Sequence, residues 1–120
     1  MDERGTVYKI LAKEEWERIQ ETGECRLVPV DEASGFVHLA TGAQLLETCQ
    51  RHFKEEQEPL AVEVALSVLG TELRWERGST RNNQEFPHLY RKLRISDFKA
   101  LQYLEFENGK WTLGKRLPID

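Results

Sequence analysis

Read along the chain, apolar and polar positions change period several times, and each change predicts an element. Val7-Tyr8-Lys9-Ile10-Leu11 is rich in β-formers and predicts a first strand. From Lys13 to Thr22, Trp16 and Ile19 share one helical face, acidic residues come early, and Gly23 stands where a helix ends. A short strand at Arg26 to Val30, interrupted by Pro29, is the expectation for the next stretch. Asp31-Glu32-Ala33-Ser34-Gly35 then reads as a turn. In Gly35-Phe36-Val37-His38-Leu39-Ala40-Thr41, a strand would put Phe36, His38 and Ala40 on one face and Val37 and Leu39 on the other. Thr41 followed by Gln44 is a capping-box pattern, and Leu45, Leu46, Cys49 and Phe53 form the core stripe of the helix it opens.

The second half reads mostly as strands. Leu60 to Leu66 alternates, with Leu60, Val62, Val64 and Leu66 on one face and Glu63 looking outward or into a pocket. Leu73-Arg74-Trp75-Glu76 is extended, Arg77 to Glu85 reads as a flexible loop, and Phe86-Pro87-His88-Leu89-Tyr90 follows. Leu93 and Ile95 alternate with basic residues, and Ser96-Asp97-Phe98 reads as a turn. Two alternating runs, from Leu101 and from Lys110, flank Asn108-Gly109, the strongest short hairpin signal. The tail from Arg116 is expected at the surface. The sum is an α+β chain: mixed or antiparallel sheets with two helices in the N-terminal half.

Composition narrows the classes. With 120 residues the chain is the size of one domain, with its core expected over about 7–114. A charged content of 32% and net charge of -4 describe an ordinary globular surface. Nucleic acid is disfavoured as a partner, because the basic run from Arg74 to Arg94 is interleaved with Glu76 and Glu85 and flanked by Glu72 and Asp97. No signal peptide or membrane span is legible, so a cytoplasmic protein with no membrane partner is the expectation. Cys25 and Cys49 have no partners for a zinc quartet and read as reduced thiols. His38, His52 and His88 lack any close-spaced ligand pair, so no metal is expected.

The candidate chemistry lies at strand ends. His38 with Thr41, Arg74 with Glu76, and His88 with Tyr90 would form one cleft if their segments lay side by side. His38, Glu76 and His88 are the catalytic candidates, with Glu76 or a histidine as base; Thr41, Arg74 and Tyr90 are the ligand-binding ones. The opposing reading is structural, with the same groups fastening the FPHLY segment to the GFVHLAT strand.

Four motifs in order, VYKI with Trp16, GFVHLAT leading to Gln44, LRWE, and FPHLY, make the chain resemble domain-of-unknown-function family 952 from about Val7 to Gly114. Ala40 stands where that family commonly has serine, and Arg91 where it often has glycine. The resemblance implies a fold similar to that of ADP-ribosyltransferases, whose core binds NAD between two small sheets. On that likeness NAD is a candidate cofactor, His38 is the early-strand residue at the ribose, Tyr90 a stacking group and Glu76 an acid. Glu105 and Glu107 are the other candidates for the late glutamate of those enzymes. The implied function is binding of, or ribosyl transfer or hydrolysis on, an NAD- or ADP-ribose-like or other phosphorylated small molecule.

Overall fold

The computed structural model describes residues 5–77 and 84–119. Eight strands and three α-helices follow in the order β1 (Thr6–Leu11), α1 (Lys13–Thr22), α2 (Pro29–Ser34), β2 (Val37–His38), β3 (Ala40–Thr41), α3 (Leu45–His52), β4 (Leu60–Ala65), β5 (Leu73–Arg77), β6 (Glu85–Leu89), β7 (Phe98–Glu107) and β8 (Lys110–Pro118). They make a five-stranded sheet in the order β3-β1-β4-β7-β8 and a three-stranded sheet in the order β2-β6-β5. Every pairing is antiparallel. The fold is therefore α+β with antiparallel sheets.

The local signals explain most elements. Helix α1 starts where the Glu15 carboxylate accepts from the Ala12 amide, and it stops at Gly23, whose φ of 76° suits a residue without Cβ. Ahead of α3, the Thr41 amide donates to Gln44 Oε1 at 3.0 Å and the Gln44 amide donates to Thr41 Oγ1 at 3.2 Å, closing the expected box. The Gln44 amide nitrogen Nε2 also donates to the Glu85 carbonyl, tying this turn to the start of β6. Asn108 and Gly109, with φ of 53° and 78°, form the two-residue turn that right-twisted strands prefer.

Two expectations are corrected. Arg26 to Val30 forms no strand; Pro29 instead begins α2, where its missing amide costs nothing, and the supposed turn is that helix. The GFVHLAT stretch is not one strand. It leaves the small sheet after His38 and joins the large one at Ala40, and the Leu39 amide donates to the Pro87 carbonyl at 3.1 Å in the step between. The tail lies at the surface as expected, with Arg116, Leu117 and Pro118 exposed, while β8 runs to Pro118, Ile119 packs against the core and its amide donates to the Lys99 carbonyl. Most of the expected loop at Arg77 to Glu85 lies outside the described residues.

The large sheet is covered on both faces. Val7, Leu11, Leu60, Val62, Val64 and Leu101 meet Val37 and Leu89 of the small sheet and Ile19 of α1 in one core. On the other side, Ile10, Ala61 and Trp111 pack against Leu45 and Cys49 of α3. Strand β4 is buried nearly throughout because it lies in the middle of this sandwich. Glu63 is buried with it, accepting from Arg116 Nε and Nη2 at 2.8 Å each. Among the described residues no helix is long and apolar enough to cross a membrane.

Candidate functional site

The step between sheets brings two histidines together. His38 on β2 lies directly across from His88 on β6, and their ring centroids are 5.6 Å apart at an interplanar angle of 62°. Each imidazole is held by a different carboxylate. His38 Nδ1 is 2.7 Å from Asp31 Oδ1, and the His38 amide donates to that oxygen at 3.2 Å. His88 Nδ1 is 2.7 Å from Glu76 Oε1, which also accepts from the Tyr90 hydroxyl at 2.7 Å. Carboxylate acceptors place the proton on Nδ1 in both rings, leaving Nε2 as the nitrogen engaged by neither.

Phe36 ties the rings into one cluster. Its centroid lies 4.1 Å from that of His88 in a stacked arrangement, 4.6 Å from His38 and 5.3 Å from Tyr90. Arg74 lies over the outer face of the assembly, its guanidinium carbon 5.2 Å from the Tyr90 ring centre.

Beneath His38 is an ion pair that the alternation alone does not announce. Asp31 is 1% exposed, and its Oδ2 accepts from Lys9 Nζ at 2.7 Å. Lys9 shares the face of β1 that carries Val7 and Leu11 into the core. A lysine in that register was the available signal, together with an aspartate seven positions before the histidine.

The electrostatics follow from these contacts. Burial pushes the Asp31 carboxyl up, but hydrogen bonds from His38 and the charge of Lys9 outweigh it and leave the group below its ordinary value. The Tyr90 hydroxyl and then His88 hold Glu76 low, and the same Glu76 contact pushes the Tyr90 hydroxyl up. Asp97 is also lowered: burial raises it, and Arg91, followed by the Arg94 amide, brings it down further. Hydrogen bonding from Arg116 lowers Glu63 against burial. Each carboxyl titrates lower folded than unfolded, so its contribution is complete above the unfolded value and lost as pH falls through the folded one. We expect urea midpoints to be level between about pH 5 and 7 and to drop below about pH 4, near the unfolded carboxylate range. A midpoint unchanged down to pH 3 would contradict these assignments.

The two imidazoles open on a cleft of about 710 Å³, within the range of small-molecule sites. Its wall is largely apolar, with Val28, Pro29, Phe36, Phe53 and Phe86, and Arg77 also lines it. Of the six residues singled out from the sequence, His38 and His88 line this cleft, Glu76 and Tyr90 bear on His88, and Arg74 bears on Tyr90. Thr41 does not join them: it is buried, and its hydroxyl accepts from the Gln44 amide in the turn ahead of α3. Asp31, Lys9 and Phe36 are the members the sequence reading missed. Among the described residues no group of three His, Cys, Asp or Glu is placed to hold a metal ion. Burial pushes the Cys49 thiol up to about 12. A second hollow of about 600 Å³ lies between Gly23–Arg26 and Arg91–Ile95. Arg91, one of its cations, is bound by Asp97 and Glu72.

The crystal structure of protein CC0527 from Caulobacter crescentus is similar over 95% of this chain and 93% of that one, with 32% identity and a TM-score of 0.78. The solution structure of the same protein is similar over 89% and 90% of the two chains, with 33% identity and a TM-score of 0.76. No curated protein matches. The family model described as "Protein of unknown function (DUF952)" matches residues 10–100, and the chain belongs to that family.

Proposed function

We propose that the cleft binds a nucleotide-like or other phosphorylated small molecule and performs acid–base group transfer on it through His38 and His88. The observation that carries this reading is the pair of imidazoles, each fixed at Nδ1 by its own carboxylate at 2.7 Å and both lining one cleft. A base must hold its tautomer and its direction, and an anchored ring gives up neither on binding. Asp31 and Glu76 are then positioning residues. Glu76 was a candidate base from sequence, but a carboxylate held low by two donors suits orientation better than proton transfer. The two small antiparallel sheets are compatible with an ADP-ribosyltransferase-like core, which makes NAD and ADP-ribose the first ligands to try.

The test is a thermal-shift screen of the wild type and His38→Ala against NAD, ADP-ribose, nucleotides and phosphorylated sugars. A ligand at about 100 times its dissociation constant stabilises the fold by about 2.7 kcal/mol, a shift that the variant should lose. The rival reading is a fastener between strands, favoured by the packing of Phe36 against both histidines. It predicts no shift with any ligand and a loss of about 1–3 kcal/mol on His38→Ala, from the acceptor left unpaired on Asp31.

A further inference from the structure

Resting on that reading of the cleft, we propose that its substrate is a phosphodiester of a nucleoside, opened by water in an in-line displacement at phosphorus. The choice of phosphorus over a ribosyl carbon comes from the carboxylates. Cleavage at a sugar centre calls for a carboxylate facing the anomeric carbon. Glu15, the carboxylate that lines the cleft, accepts from the Ala12 amide, and the two that hold the imidazoles are engaged likewise: Asp31 by Lys9 and His38, and Glu76 by His88 and Tyr90. No cysteine nucleophile lines it, since Cys49 is fully buried on the core face of α3 and Cys25 lies at the other hollow.

What the cleft does carry is two proton-transfer groups on one sheet face, turned at Nδ1 toward partners on different elements, α2 and β5. Displacement at a diester needs that pair and little else, one group to take a proton from water and one to give a proton to the leaving oxygen. His38 is the base, because its side chain is 39% exposed against 12% for His88 and water reaches it more readily. Nε2 of His38 removes a proton as the water oxygen bonds to phosphorus. The bond from phosphorus to the leaving oxygen breaks, and that oxygen takes the Nε2 proton of His88, which enters the step as imidazolium with its Nδ1–H still donated to Glu76. Products are a phosphomonoester and an alcohol, or one ring-opened monoester from a cyclic diester. Proton exchange with solvent resets both rings.

Charge and lining select the ester. Lys9 is committed to Asp31, while the Arg77 side chain carries no ion pair or hydrogen bond to the described residues; among the described lining residues that leaves one arginine available, which matches a diester monoanion better than a monoester dianion. Phe53 and Phe86 offer the apolar wall that a nucleobase needs.

The experiment measures hydrolysis of bis(p-nitrophenyl) phosphate, p-nitrophenyl phosphate, and nucleoside 2′,3′- and 3′,5′-cyclic monophosphates by the wild type, His38→Gln, His88→Gln and Arg77→Ala, all in EDTA. The expected result is turnover of the diesters alone, with kcat lowered about 10²- to 10⁴-fold in each glutamine variant. The acid limb of the pH profile should flatten in His38→Gln and the alkaline limb in His88→Gln. Arg77 is exposed, so Arg77→Ala should keep the wild-type melting midpoint and raise KM with little change in kcat. Diester turnover that persists in both glutamine variants overturns the proposal. So does a wild type that leaves every diester intact; if NAD or ADP-ribose still raises its melting midpoint, the binding reading survives alone, and if nothing does, both fall.

Discussion

Asp31→Ala should lower the folding free energy by about 3–5 kcal/mol, the range found when one partner of a buried ion pair is removed. The loss has two parts. Lys9 would keep its ammonium in a site where its neighbours are Val7 and Leu11 on the same strand face, with only the His38 carbonyl at 3.4 Å left to accept from it. The His38 amide and ring would also lose the oxygen they share. For a chain of this size the melting midpoint should fall by roughly 10–20 °C. The informative control is Lys9→Met with Asp31→Leu, which removes both charges. A buried pair replaced by apolar groups of similar volume is often neutral or better, so the double variant should recover most of the stability while losing the anchor of His38. A loss below about 1 kcal/mol in Asp31→Ala would show that Lys9 finds water or another acceptor and that the pair is not the foundation of β2.

The parts of this molecule that were legible from sequence are those governed by neighbours a few positions apart. The Thr41 and Gln44 box, the Gly23 stop and the Asn108-Gly109 turn each need only local backbone chemistry, and each stands where the pattern put it. Helix α2 escaped because six residues make fewer than two turns, too few to repeat a stripe, and its Asp-Glu-Ala-Ser-Gly string carries the same chemistry as a turn. The change of sheet at Leu39 escaped for a different reason. Alternation of faces continues through it, since Phe36 and His38 still share a face and Val37 and Leu39 are still buried, so the side-chain pattern carries no mark of the new partner strand. The same logic governs the site. His38, Glu76, His88 and Tyr90 stood out as polar groups at strand ends, and the sheet pairing brings them together. Asp31 and Lys9 come from elements far apart in sequence, and no spacing announces their meeting.

Leu89→Ala should cost about 2–5 kcal/mol and should also weaken whatever the cleft binds. Leu89 is 0% exposed and sits in register with both Val37 of β2 and Leu73 of β5, so it is the apolar residue through which all three strands of the small sheet meet the core. Only two residues of β2 pair with β6, and a shortened side chain there leaves a cavity that so brief a strand closes by moving. One position earlier on the opposite face stands His88, paired with His38 as Leu89 is paired with Val37. Loss of packing below the sheet should therefore loosen the spacing of the imidazoles above it. A cycle of Leu89→Ala with Val37→Ala, followed by urea denaturation, should show a coupling of about 0.5–3 kcal/mol, because the two side chains share one buried contact. Additive losses would mean that the pair does not act as a unit. Leu73→Ala, at a half-buried position on the other side of β6, should cost less than Leu89→Ala and leave the spacing of His38 and His88 nearly intact, since β5 reaches the cluster through Glu76 and Arg74 and not through Leu73. Equal costs at the two positions would place the anchoring of the site on β5 rather than on the cross-strand pair of β2 and β6.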